Sequence, residues 1–284
     1  MGALEAARAR GGIDVGVQAL TVNRPAEAVD VLSATDLSPH YFQWLALLEA
    51  LHLLGNYERE LGEARRGRKA YPGRLQMLDA EIRALAALGR FAEAERILDE
   101  SLLLPGEDEI TPATLMANAA AELRAHGHGY ASSELRDRAI AWLMLHSAQE
   151  QESRAQRYSL AVAYYEGKRW EEARTLFRQL SAETPQDVHV LGYLGTLAAR
   201  LGERAEALGI SESLSGTAAP PEFGEDTYKQ ARIASLLGDL ERAVALLRDA
   251  FAHGMAFSIA VHRDIDLDPL YDNPAFQEFI RPKG

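Results

Sequence analysis

Apolar residues recur three and four positions apart along almost the whole chain. Trp44, Leu47, Leu48, Leu51 and Leu54 form one such stripe, and Ala173, Leu176, Phe177 and Leu180 another. This spacing lines one face of a helix, because side chains three or four apart project from the same side. No stretch alternates apolar and polar residues for long enough to predict a sheet. The chain is expected to be all-α.

The stripes are paired around a recurring turn. Gly89-Arg90-Phe91-Ala92-Glu93-Ala94 and Gly238-Asp239-Leu240-Glu241-Arg242-Ala243 share a Gly, an apolar or aromatic residue two positions on and an Ala five positions on. Looser copies begin at Gly55 (Asn56, Tyr57), Lys168 (Arg169, Trp170, Ala173), Gly202 (Glu203, Arg204, Ala207) and Asn23 (Arg24, Pro25, Ala28). The most degenerate begins at Gly127 (His128, Gly129, Ser132). The anchors 23, 55, 89, 127, 168, 202 and 238 lie 32 to 41 residues apart, several intervals being close to 34. Four positions before each anchor the side chain is apolar: Ala19, Leu51, Leu85, Leu123, Tyr164, Ala198 and Ala234. A left-handed residue at the anchor ends a first helix, and the small residue after it lets a second helix pack closely. Ser38-Pro39 and Thr111-Pro112 are expected to cap new first helices. About seven helical hairpins over roughly residues 8–255 follow.

With Trp44, Leu47, Leu51, Gly55, Tyr57 and Pro72 in register, this unit resembles the tetratricopeptide repeat. The copy that fits best is built from Leu160, Ala161, Tyr164, Trp170, Ala173, Phe177 and Pro185; Leu194, Gly195, Gly202 and Ala207 keep the small residue where paired helices touch. Glu60 departs from the pattern, standing where Ala is expected, and the copy around Gly127 carries an extra residue near its turn. The resemblance implies a right-handed α-solenoid forming a single domain over 1–284, with a C-terminal cap at about 256–284. Extra residues between repeats fall at Pro105-Gly106-Glu107-Asp108-Glu109, at His146 to Glu152 and at Ser215 to Pro221, where Gly216, Pro220 and Pro221 suggest a flexible joint. In the tail, Asp268-Pro269 and Asn273-Pro274 are cap-then-Pro starts, and Leu267, Leu270, Phe276, Phe279 and Ile280 are expected to cover the last repeat. The tail resembles the closing segment of tetratricopeptide arrays that follow protein-kinase or winged-helix domains in bacterial signalling proteins. That likeness implies a sensing or docking region of a larger regulator.

Composition narrows the chemistry. The absence of cysteine removes disulfides, thiolate metal sites and a cysteine nucleophile. A 47% apolar and 25% charged chain is that of a globular protein, and its net charge of −12 would repel a phosphate backbone, so nucleic acid is not an expected direct partner. No apolar run is long enough to span a bilayer, and Glu5, Arg8, Arg10 and Asp14 interrupt any apolar core of a signal peptide. The cytoplasm is the expected compartment, without membrane attachment.

Catalytic motifs fail on inspection. His262-Arg263-Asp264 resembles a kinase catalytic loop, but Pro269 stands where its magnesium-binding Asn belongs. Asp264, Asp266 and Asp268 alternate like the start of an EF-hand, but Pro269 and Ala275 occupy the places of its Gly and Glu, so capping carboxylates are the better reading. His126 and His128 flank Gly127 with no expected third ligand. Arg65, Arg66, Arg68 and Lys69 sit in the last turns of a second helix, where cations complement the dipole; an anionic-partner patch is the weaker reading. No catalytic residue, metal ligand or cofactor is assigned.

What remains is surface. In tetratricopeptide arrays the first helices line an inner wall that meets the ligand. Carrying that phase over nominates Glu49, His52, Asp79, Arg83, Asn118, Tyr158, Tyr165, His189, Thr196, Arg200, Tyr228 and Arg232. Leu45, Glu49, Asp79 and Arg83 stand where carboxylate-gripping members carry Lys and Asn, so that clamp is absent. Tyr158, Tyr165 and Tyr228 with Arg200 and Arg232 form the more suggestive set, since Tyr and Arg dominate interface hot spots; packing between repeats is the equal alternative. The expected function is a non-catalytic scaffold binding a protein or peptide. The alternatives are homo-oligomerisation or docking within a larger bacterial regulator, and a peptide-sensing regulatory domain.

Overall fold

The computed structural model describes residues 14–106, 110–149, 153–215 and 224–283. Among them there are helices and turns but no strand, as the periodicity predicts. Helix α1 covers 14–21, followed by α2 (Pro25–Ser33), α3 (Tyr41–Leu53), α4 (Tyr57–Ala70), α5 (Leu75–Ala87), α6 (Phe91–Ser101), α7 (Pro112–Ala125) and α8 (Gly129–Gln149). Then come α9 (Arg154–Glu166), α10 (Trp170–Glu183), α11 (Val188–Arg200), α12 (Arg204–Ser215), α13 (Glu225–Leu236) and α14 (Leu240–Ala252). The tail adds α15 (Ile259–Arg263), a 3-10 turn (Asp268–Leu270) and α16 (Pro274–Ile280). Parts of the acidic turn at 105–109, the link at 146–152 and the joint at 215–221 lie outside the described residues.

The seven anchors are the residues on which each first helix stops. All have left-handed backbone, from φ +60° at Lys168 and +61° at Asn23 to +81° at Gly238. The amide after each anchor bonds back to the carbonyl of the apolar residue four positions before it: Asn56 to Leu51 and Arg90 to Leu85 at 2.9 Å, and Asp239 to Ala234 at 3.0 Å. This closure satisfies a carbonyl that the helix end leaves open and turns the chain into the next helix. Lys168 accepts a conformation that costs a side-chain-bearing residue roughly 1–2 kcal/mol. Five positions on, Ala28, Ala173, Ala207 and Ala243 are wholly buried, as are Ser132 and the discordant Glu60.

The chain divides into two compact units. The first comprises the described residues within Met1–Ala139, Phe257–Arg263 and Pro282–Gly284. In it α3 packs on α2, α4 and α5, and α5 on α4, α6 and α7, so consecutive pairs bury each other's apolar stripes. Trp44, Leu47, Leu48, Leu51 and Met77 share one core cluster, each fully buried aliphatic side chain contributing about 1.5–3 kcal/mol. Arg65 and Arg68 both reach the nearly buried Glu81 on α5, so these cations act across helices as well as at the end of their own.

The second unit comprises the described residues within Ile140–Ala256 and Asp264–Arg281. Here α9 packs on α10, α10 on α11, α11 on α12 and α13, and α13 on α14. Gly195 permits the α11–α13 approach: a Cβ there would lie 2.4 Å from the Ile233 Cδ1.

Two local expectations change. Thr111 does cap α7, accepting from Thr114 in a reciprocal box, but Ser38-Pro39 forms a turn short of α3, whose N-cap is His40. The tail is more than a lid on the last repeat. Leu267, Leu270 and Phe276 are fully buried in the second unit, with the 3-10 turn against α13 and α14 and α16 against α14. Residues 257–263 belong instead to the first unit, where α15 meets α3 and α7.

Candidate functional site

The twelve nominated residues all fall on the first helices of pairs, α3, α5, α7, α9, α11 and α13, and most are engaged with the tail or with one another. Nine of them gather into two clusters, one in each unit.

In the first unit, Glu60 is wholly buried and takes Arg83 through Nε and Nη2 at 2.7 and 2.6 Å on one oxygen. Its other oxygen faces His52 Nδ1 at 2.8 Å. His52 Nε2 lies 3.2 Å from Glu122, whose carboxylate also meets His126 Nε2 at 2.9 Å and the Arg263 guanidinium of α15. Burial alone would raise Glu122, but the His52 hydrogen bond and the charges of Arg263, His52 and His126 outweigh it and pull it down to about 2. Two further bonds hold the tail's main chain: Arg124 donates to the Arg263 carbonyl at 2.7 Å, and the Ile259 amide donates to Glu49 at 2.9 Å. Asn118 donates to Asp79 at 3.0 Å, while burial pushes the Asp79 carboxyl up.

In the second unit, Asp266 is wholly buried and holds two arginines. Oδ2 accepts from Arg232 Nε at 2.9 Å and Nη2 at 2.6 Å; Oδ1 accepts from Arg200 Nε at 3.0 Å and from the Tyr165 hydroxyl. Arg200 also donates to the Ile265 carbonyl at 3.0 Å. Asp264 accepts from Tyr228 at 2.8 Å and lies 3.2 Å from Arg232. The guanidiniums rest on rings, Arg200 4.6 Å above Trp170 and Arg232 5.0 Å above Tyr193. Burial, reinforced by the adjacent aspartates, holds the Tyr165 and Tyr228 hydroxyls well above the usual phenol range, so both serve as donors. Burial also raises Asp264 in spite of Arg232.

The remaining nominees lie at the margins. Tyr158 is half-buried, edge-on to Phe177 and Tyr193 at 5.9 and 6.2 Å. Thr196 is buried and bonds its own helix at the Tyr193 carbonyl. His189 is exposed in the first turn of α11, its amide capped by Asp187.

Two sequence expectations are corrected. Asp264 does make a local cap, accepting the Asp266 amide at 2.9 Å, but Asp266 is an ion-pair acceptor. His126 has a carboxylate partner, Glu122, one helical turn before it in α7. Tyr165 is fully buried, edge-on to Trp170 at 5.2 Å and to Tyr193 at 5.0 Å, with its hydroxyl on Asp266. Glu60, Glu122, Tyr193, Arg263, Asp264 and Asp266 were not nominated. Glu60 had left a trace, as the one charged residue at a position otherwise held by small side chains.

Among the described residues no His, Asp and Glu group could hold a metal ion, and no helix is long and apolar enough to cross a membrane. No protein-family profile and no curated protein matches the chain. Solved structures similar to it include a tetratricopeptide repeat protein from Parabacteroides merdae, 14% identical, covering 96% of this chain and 97% of that one at a TM-score of 0.48. A monomeric IFIT1 mutant with Gppp-AAAA is 13% identical over 87% of this chain and 58% of its own (TM-score 0.44). The Cut9–Hcn1 hetero-tetramer of the APC/C is 11% identical over 94% and 54% (TM-score 0.40).

Proposed function

We propose that this chain is a non-catalytic scaffold that binds protein or peptide segments on the first helices of its pairs. One observation carries the reading: Arg200 and Arg232, from separate helices, converge on Asp266 while Arg200 also takes the Ile265 carbonyl. A face that holds a side chain and its neighbouring backbone together is built to read polypeptide. The clusters offer ion pairs and hydrogen bonds but no nucleophile–base pair aimed at an open cavity, which supports a binding role over a chemical one. The net charge of −12 favours protein over nucleic acid as partner.

A photo-crosslinking residue placed singly at Tyr158, His189 and Asn118, with sites on α10 and α12 as controls, tests this. Adducts to another protein concentrated at the first-helix positions are expected. Adducts confined to the second helices would remove the reading.

A second reading has its own support: both faces hold the chain's own tail, the behaviour of an intramolecular docking module, and the tail resembles closing segments of arrays in bacterial regulators. Light scattering across a range of concentrations tests the homo-oligomeric version, which a constant monomer mass would remove.

A further inference from the structure

We propose that the face formed by α9, α11 and α13 is a receptor for an acidic turn of the form Asp-apolar-Asp-apolar, filled in cis by Asp264-Ile265-Asp266-Leu267 and filled in trans by a partner protein carrying the same turn. The proposal rests on the scaffold reading and names the chemistry of its ligand.

The fit is specific on both sides. The turn is closed on itself: Asp264 Oδ1 accepts the Asp266 amide at 2.9 Å, and the Leu267 amide donates to the Asp264 carbonyl at 3.1 Å. Its two carboxylates therefore leave together toward the helices while Ile265, Leu267 and Leu270 are buried. On the receptor, Arg200 and Arg232 donate to the Ile265 carbonyl, the Asp266 carboxylate and the Tyr165 hydroxyl, and Arg232 pairs with Asp264 at 3.2 Å. Tyr165 and Tyr228 add a hydroxyl to each carboxylate. The planar guanidiniums lie over Trp170 and Tyr193 in the orientation that meets the carboxylates, which favours Asp over a neutral isostere.

Exchange in kind leaves no charge bare, since a competing turn brings its own two carboxylates. What opposes it is tethering, which gives the cis segment an effective concentration of the order of millimolar. The wild-type chain should therefore bind a free acidic turn weakly, and a chain with a weakened cis turn should bind it well.

A fluorescent, N-acetylated peptide of sequence Asp-Ile-Asp-Leu-Asp-Pro-Leu, titrated into the full chain and followed by anisotropy, provides the test. Asp266→Asn should bind it at least about tenfold more tightly than wild type. The peptide with its first two Asp replaced by Asn should bind neither. A folded Asp266→Asn chain, judged by helical circular dichroism, that ignores the acidic peptide overturns the proposal. Should that variant fail to fold, a protease site placed after Gly254 allows the wild-type tail to be cut in the folded protein. The cut chain, no longer tethered, should bind the fluorescent acidic peptide at least about tenfold more tightly than the uncut chain; no gain on cutting overturns the proposal. A dimer with exchanged tails, seen by light scattering, overturns the partner assignment in favour of a second copy. Crosslinked partners without peptide binding would leave the scaffold reading standing and remove only the acidic turn.

Discussion

Arg232 and Asp266 form an ion pair in which Nη2 lies 2.6 Å from Oδ2 and neither side chain is more than 7% exposed. The pair joins the middle of α13 to a turn 34 positions later, and Arg200 closes on the same carboxylate from α11. A carboxylate withdrawn from water this fully is tolerated because each oxygen is met by a cation.

Asp266→Ala should therefore destabilise the second unit strongly. Removing one partner of a buried pair costs about 3–5 kcal/mol, since the remaining charges are left uncompensated. Urea unfolding of the variant should show that loss, with Asp266→Asn milder. A midpoint unchanged for the Ala variant would mean that the carboxylate is hydrated in solution.

Glu60→Ala restores the small residue found at this position in other repeats and should nevertheless destabilise. Arg83, with an 11% exposed side chain, and His52 would each lose a partner, a loss on the order of 2–4 kcal/mol. Adding Arg83→Met should recover part of it, because the stranded charge goes too. Thermal melts of the single and double variants decide the matter, and additive losses would contradict it.

Acid should weaken the first unit through Glu122. Its carboxyl, ordinarily near 4.5, is held down to about 2, so the stabilisation is fully present above 4.5 and drains away as pH falls toward 2. That gap is worth about 3 kcal/mol at ~1.4 kcal/mol per tenfold change. Asp79 is raised and acts in the opposite sense, becoming less costly as it protonates. Glu122→Gln should be less stable at pH 7 and lose less between pH 5 and pH 2. Parallel pH profiles for variant and wild type would refute the assignment.

Lys168→Gly should stabilise by about 0.5–1 kcal/mol, because the exposed Lys168 holds φ +60° at an anchor that Gly occupies in most pairs. Gly238→Ala should cost about 1 kcal/mol through backbone strain alone, since no atom lies within 4 Å of the added Cβ. Opposite signs in calorimetry are the expected outcome.

The anchors illustrate how far local patterning reaches. A helix stop is set by the residues within one turn of it, so the seven anchors could be placed from the apolar residue four before and, at every anchor but Gly55, the small residue five after. Ser38-Pro39 misled because a Pro fixes its own φ and not where the following helix starts. Tyr165 shows where that reach ends. Its ring meets Trp170 of α10 and Tyr193 of α11 at 5.2 and 5.0 Å, as packing between neighbouring pairs allows, but its hydroxyl partner Asp266 lies 101 residues later.

Helical class, pairing, turn positions and the first-helix location of the polar candidates were thus written into local spacing, where each signal and its consequence lie within a few residues. The partners of those candidates were settled only by folding. Which carboxylate meets Arg200, Arg232 or Arg263 depends on where α15 and the turn at 264–267 come to rest, and no periodicity encodes a contact made over such distances in the chain. Charge complementarity in a dry setting then selects the pairing, because a buried ion left alone costs more than any local preference can offset.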